Sequence, residues 1–177
     1  LSVCQQLFRA RSLRHGDVKL NMKSGSYGSA VQWHQDWAFY PHTNDSILAA
    51  GVFLDDVTHD NGPLLAIPGT HRGPIYNHHR LPDGTFVGGF EPSECGLDFK
   101  NDGKALVGSA GSVSFHHVRL VHGSDFNRSG HSRKIVFLEI GSSDAWPLAG
   151  VSNYESFGDM FYGRMLCGEP TLQPRME

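Results

Sequence analysis

Little in this sequence points to a large charged or lipid partner. The 177 residues carry 15 Lys plus Arg against 18 Asp plus Glu, a formal net charge of −3. That balance gives no support to a nucleic-acid or membrane-surface partner. No apolar run approaches the roughly 18 residues of a membrane span, and no signal peptide is visible. Cysteine is scarce: Cys4, Cys95 and Cys167 are far apart and form no C-x-x-C pair. A disulfide framework or a structural zinc knuckle is therefore not expected, and a reducing, cytoplasmic setting is. Internal repeats, low-complexity tracts and long amphipathic helices are also missing. So is an initiator methionine: the chain opens at Leu1, in what reads as the middle of an element, as expected of a fragment short of part of its N-terminal region.

What is present reads as one globular domain over residues 1–177, with its core at about 17–148. Hydrophobic residues make up 39% and charged residues 19%, in the range of a folded domain. A helix is expected at Ser2 to Ala10, followed by short strands between turns. Asp17 to Lys23 alternates apolar Val18, Leu20 and Met22 with Lys19, Asn21 and Lys23, the period of a half-buried strand. Strands are also expected at Ser29 to His34, Ile47 to Leu54, Leu64 to Ile67, Gly111 to Phe115, Val118 to Val121 and Arg133 to Ile140. Asn61-Gly62-Pro63 reads as a turn. The polar stretch 73–103 is long for a plain connection and reads as a lid, an insertion or an ordinary surface excursion. Many short strands with turn punctuation indicate an antiparallel jelly roll or barrel.

Histidine is abundant, at 11 residues, and His34-Gln35-Asp36 stands out among them. On extended backbone, residues i and i+2 point the same way, so one short segment can aim an imidazole and a carboxylate at one ion. A third donor would complete the two-histidine, one-carboxylate face that leaves iron with open positions. His122, at the end of an apolar segment and before Gly123-Ser124, is the preferred third donor. Its rivals are His116, His117, His71, His78 and His79, and adjacent 116 and 117 face opposite ways on a strand. Downstream of His122 come Ser124, Asn127, Ser129 and Arg133. A strand carrying His122 beside one carrying Arg133 sets a guanidinium beyond the metal, suited to the far end of an iron-chelating dicarboxylate. Ser124 can offer a hydroxyl to the same carboxylate. Trp37, Phe39, Tyr40 and His42 follow the metal motif and are candidates to line a substrate pocket, or simply to fill the core.

Trp33-His34-Gln35-Asp36, Asn61-Gly62-Pro63-Leu64 leading to Pro68-Gly69-Thr70-His71-Arg72-Gly73, and His122-Gly123-Ser124 with Asn127, Ser129 and Arg133 resemble the phytanoyl-CoA dioxygenase family. The similarity runs from Asp17 to Leu148, and Asp144 to Leu148 with Pro174-Arg175 look like bacterial members. The resemblance implies a double-stranded β-helix, cupin-like with minor flanking helices. It implies an iron(II)- and 2-oxoglutarate-dependent dioxygenase that hydroxylates a small or medium organic molecule with O2 and releases succinate. It gives His34, Asp36 and His122 as iron ligands, and Arg133 with Ser124 at the distal carboxylate of 2-oxoglutarate. Gln35 and Lys19 fall near the cosubstrate, and Val52 falls where some members place a tryptophan against it. Asn61 and Gly62 read as a turn that shapes the chain, and His71 as a supporting residue rather than a ligand. The carboxylate at 36 argues against halogenation. The alternatives are a cupin-like metal protein without oxygenase activity, and a structural or carbohydrate-binding β-sandwich in which the three donors would be scattered.

Overall fold

A computed structural model describes residues 1–90, 95–149 and 162–177. Two antiparallel sheets face each other. The larger has the order β6-β3-β8-β1-β9 and the smaller β2-β7-β4-β5. Their strands are β1 (Leu13–Lys23), β2 (Val31–His34), β3 (Ile47–Phe53), β4 (Leu64–Ala66), β5 (Lys104–Leu106), β6 (Val113–His117), β7 (His122–Ser124), β8 (Arg133–Ser142) and β9 (Met165–Cys167). This is the expected jelly roll, and strand order follows from hairpin and crossover pairing of short segments.

The apolar run Ile47–Phe53 forms β3, an inner strand of the larger sheet between β6 and β8. The expected helix is the short α1 (Ser2–Phe8), which ends where Arg9 turns left-handed at φ 53°. Cys4 and Phe8 pack from α1 onto Leu13, Leu48, Ala50 and Ile140. A separate cluster joins Ile67, Phe90 and Val121 with Trp33, Tyr76 and Leu97. It anchors much of the stretch 73–103, in which residues 91–94 lie outside the described set and α2 (Phe99–Asp102) is one helical turn.

Three expectations need correction. Val118 to Val121 is a turn, with β6 before it and β7 after, so His122 opens a strand instead of following one. Arg133 and His122 do not lie on neighbouring strands: β8 belongs to the larger sheet and β7 to the smaller. The guanidinium reaches the interior from the opposite wall. Finally, β1 is not half-buried over 17–23, where only Lys23 is buried and Asn21 partly so, and the side that turns inward is the polar one. Val18, Leu20 and Met22 are each more than half exposed, whereas Lys23 is 3% exposed. Lys19 and Asn21 line the space between the sheets. A strand beside a ligand cavity can invert the usual rule that apolar residues face inward.

Candidate metal centre and cosubstrate pocket

His34 ends β2, Gln35 stays extended at φ −121° and ψ 129°, and Asp36 opens a single 3-10 turn, Asp36–Ala38. That one extended residue points His34 and Asp36 the same way. Across the β2–β7 pair, His34 is the direct partner of His122. Asp36 Oδ1 lies 3.5 Å from His34 Nε2 and 3.7 Å from His122 Nε2. One donor atom from each of the three residues lies within 4.8 Å of the other two. The Nδ1 atoms of both rings meet backbone carbonyls, His34 at Gln32 O (2.7 Å) and His122 at Leu120 O (2.9 Å). Donation there leaves Nε2 as the free lone pair, the usual device that orients a ligating histidine.

Charge states suit a metal. Burial works against ionisation of Asp36, but His122, His116 and His34 outweigh it and hold the carboxyl well below its usual range. Burial pushes His122 down to about 3, so near neutrality it is the unprotonated base a metal requires. His116, a rival ligand, stands beside the set: its Nε2 lies 3.3 Å from the other Asp36 oxygen. The Tyr40 hydroxyl also faces Asp36, and burial with nearby carboxylates drives its pKa upward. The remaining rivals lie apart. His117 pairs with Asp45, His71 stacks near His117, His79 meets Phe86, and His78 accepts a bond from the Gln35 amide.

The three donors open into a cavity of about 440 Å³, in the size range of small-molecule sites. Arg133, Ser124, Lys19 and Asn21 line it as well. Ser124 and His122 are two apart on β7 and so share its inner face. Arg133 is 2% exposed. It donates to Asn21 Oδ1 at 2.8 Å and to the Gly62 carbonyl. Gly62 presents that carbonyl with φ at 74°, in the turn that Asn61 braces by bonding the Thr58 amide and the Asp56 carbonyl. Arg133 Nε is buried without a partner, and among the described residues no carboxylate lies within ion-pair distance of the guanidinium. Burial lowers its pKa to about 10. Lys23 lies behind it, bonded to the Ser29 and Asp125 carbonyls. Burial and then the Arg133 charge lower Lys23 to about 8. Asp125 opposes that shift at Lys23, which lies outside the cavity lining, whereas Arg133, a buried cation with no acidic partner on the cavity wall, describes an anion site.

Other expected site residues are placed differently. Gln35 does not reach the cavity. Its amide donates to Pro74 O and Arg119 O, and its Oε1 accepts from the Tyr76 amide, because alternation turns it away from His34 and Asp36. Trp37 packs on Ile47, Val118 and Ala145 instead of lining the pocket. In a 3-10 turn residues i and i+3 align, so Phe39 returns to the Asp36 side while Trp37 does not, and Phe39 and Tyr40 both line the cavity. Val52 faces the other side of β3, since Ala49 lines the cavity, Gly51 two residues on shares its face, and Val52 alternates away; a Cβ at Gly51 would meet the Phe137 ring at 2.7 Å. No residue of 73–103 lines the cavity among the described residues, although Phe86 meets Phe39 edge to face at 5.1 Å. In the sequence Asn21 and Lys23 read only as the polar positions of a strand; Asn21 lines the cavity with Lys19, and Lys23 shares their face beyond the lining.

Residues 2–135 match the family model described as phytanoyl-CoA dioxygenase. A "probable alpha-ketoglutarate-dependent hypophosphite dioxygenase" of Stutzerimonas stutzeri is 40% identical over 171 residues, 96% of this chain and 58% of that protein. The L-proline trans-4-hydroxylase of Streptomyces griseoviridis is 32% identical over 77% of this chain and 62% of its own length. The crystal structure of EctD from S. alaskensis in its apoform superposes with a TM-score of 0.64 at 28% identity, covering 80% of this chain and 49% of that one. The chain thus spans less than two thirds of these relatives. The matched stretch holds His34, Asp36, His122 and Arg133 together, and by it the chain belongs to the phytanoyl-CoA dioxygenase family.

Proposed function

We propose that this chain forms the catalytic core of an iron(II)- and 2-oxoglutarate-dependent dioxygenase that hydroxylates a small or medium organic molecule. The observation that carries this reading is the buried, acid-free Arg133 guanidinium in the same cavity as the His34, Asp36 and His122 donors. A metal-binding jelly roll without oxygenase activity has no use for such a cation. When bound, iron(II) and 2-oxoglutarate supply the activation of O2 that inserts oxygen into a substrate C–H bond, with 2-oxoglutarate lost as succinate and carbon dioxide.

The protein's own part is positioning. His34, Asp36 and His122 would hold the metal on one face and leave the cavity side open. Arg133 would take the distal carboxylate of 2-oxoglutarate through its fork, with Ser124 adding a hydroxyl and Lys23 a supporting positive field. Lys19, with Asn21, borders the same end. Phe39 and Tyr40 would wall the substrate side, and His116 would steady the second Asp36 oxygen. None of these roles demands a general base.

Relatives are named for hypophosphite and for L-proline, which supports a shared reaction on differing small molecules. Three free cysteines support a reducing, cytoplasmic setting, and no described helix is long and apolar enough to cross a membrane. The test is O2-dependent formation of succinate from 2-oxoglutarate by the iron(II)-loaded chain, stimulated by a substrate. Absence of succinate across a broad substrate panel, with iron and 2-oxoglutarate both bound, would count against the assignment.

A further inference from the structure

The wall of the cavity away from Arg133 carries an acid that the chemistry above leaves without a task. Arg133, Ile135, Phe137 and Glu139 share one face of β8 and all line the cavity. Six residues of strand, about 20 Å, separate the Arg133 and Glu139 backbones. In the sheet, Glu139 is the direct partner of Ala49, and Ala49 of His116. Only a methyl group therefore stands between Glu139 and the histidine that touches Asp36. On its other side the carboxylate rests over Gly16, where a Cβ would fall 2.3 Å from Glu139 Oε1. Gly16 sits in the irregularity of β1 between His15 and Val18, which also turns the Asp17 carboxylate to the cavity.

The Asp17 backbone N–H donates to the Glu139 carboxylate, but among the described residues no side chain is hydrogen-bonded to it or ion-paired with it. Burial raises its pKa, the Arg14 guanidinium opposes that shift, and the Asp17 carboxylate adds to it. A partly buried carboxylate with one backbone donor and no ion-pair partner still favours an added cation. A second buried group in the same lining is also unsatisfied: His116 is 4% exposed and its Nδ1 has no partner. The family match ends at residue 135, so Glu139 lies outside it.

We propose that Glu139, backed by Asp17, recognises a protonated amine on the substrate, so that the pocket takes a small amine or amino acid in preference to a small anion. This rests on the oxygenase reading of the cavity. An ammonium group supplies the close positive charge that Glu139 lacks and hydrogen-bond donors beyond the single Asp17 N–H. The two ends of the cavity then sort the two small molecules. Arg133 and Lys23 draw the diacid, Glu139 and Asp17 repel it, and the amine is drawn the opposite way. The substrate carbon nearest the metal donors is set by its distance from the nitrogen.

The experiment is calorimetric titration of the full chain, loaded with nickel(II) and 2-oxoglutarate, with pyrrolidine, L-proline, cyclopentanecarboxylate, cyclopentanol and hypophosphite. The expected result is that pyrrolidine and L-proline bind at least about tenfold more tightly than the other three. Glu139→Gln removes that preference and leaves 2-oxoglutarate affinity within about twofold. Gly16→Ala, which displaces the carboxylate, weakens the amines alone. Binding of hypophosphite, the carboxylate or the alcohol as tightly as the amines, no binding by either amine, or unchanged amine affinity in Glu139→Gln overturns the proposal. Failure of the wild-type chain to bind 2-oxoglutarate in the first titration sinks the oxygenase reading and this inference with it. Retained 2-oxoglutarate binding without amine preference sinks this inference alone.

Discussion

His34 and His122 are direct partners across the β2–β7 pair, with ring centroids 4.2 Å apart. Antiparallel pairing thus does for the two imidazoles what the i, i+2 spacing does for His34 and Asp36. Three donors from two strands and one turn converge with little loop between them, and rigid strands hold a site more accurately than loops.

Removal of the carboxylate should separate the metal from everything else. Asp36→Ala is expected to weaken iron(II) binding by roughly 100-fold or more, because one of three protein ligands is lost. It should also abolish substrate hydroxylation. The check is metal titration with a competing chelator. Wild-type affinity and turnover in this variant would remove Asp36 from the ligand set.

Arg133 separates cosubstrate from metal. Arg133→Ala is expected to weaken 2-oxoglutarate by roughly 100-fold, in line with the loss of a charge-assisted fork from a buried site. Iron(II) affinity should stay within about twofold. Arg133→Lys should recover part of the loss, since charge survives but the bidentate geometry does not. Equilibrium dialysis with labelled 2-oxoglutarate measures both, and equal affinity in all three proteins contradicts the role.

Lys23 makes cosubstrate binding sensitive to pH. Its pKa of about 8 in the folded chain lies below the ~10.4 of a free lysine. It is charged below about pH 8 and adds its field to Arg133. Above that pH it becomes neutral. 2-Oxoglutarate affinity should therefore fall as pH rises through about 8, and Lys23→Met should bind more weakly at pH 7 and flatten that slope. The linked effect on folding has the opposite sense: between about pH 8 and 10.4 the unfolded chain binds the extra proton, so stability rises with pH. A pH series of dialysis measurements on both proteins decides it.

Gln35 is expected to act on stability and not on cosubstrate. Its side chain makes three bonds to backbone groups at residues 74, 76 and 119. Gln35→Ala leaves those groups unpaired in a buried place, at a cost of roughly 2–4 kcal/mol. Thermal melting should show the loss, while 2-oxoglutarate affinity of the folded fraction is unchanged. A large loss of affinity with an unaltered melt would return Gln35 to the pocket.

The local half of this site was legible in the sequence. His34 and Asp36 could be read together because one extended residue between them fixes their common direction. The run 47–53 announced an inner strand by being apolar throughout. What sequence periodicity cannot carry is which way a strand faces and which strands oppose each other through space. The alternation of 17–23 was visible, but its polar side faces inward because the interior there is a cavity rather than packed core. Arg133 was read beside His122 on an adjoining strand, whereas it crosses from the facing sheet. Trp37 was placed with Phe39 because the single 3-10 turn that divides them has no marker in the sequence. Glu139 had a marker that went unused: it stands six positions from Arg133 on the same strand face.

The central claim is that one cavity holds a ferrous ion and 2-oxoglutarate together. The most direct measurement is the visible spectrum of the folded full chain on anaerobic addition of iron(II) and then 2-oxoglutarate. A weak visible band that saturates at one equivalent of each, and is lost in Asp36→Ala, is the expected result. A featureless spectrum from a folded protein that binds both additions would contradict it, because the two would then be held apart.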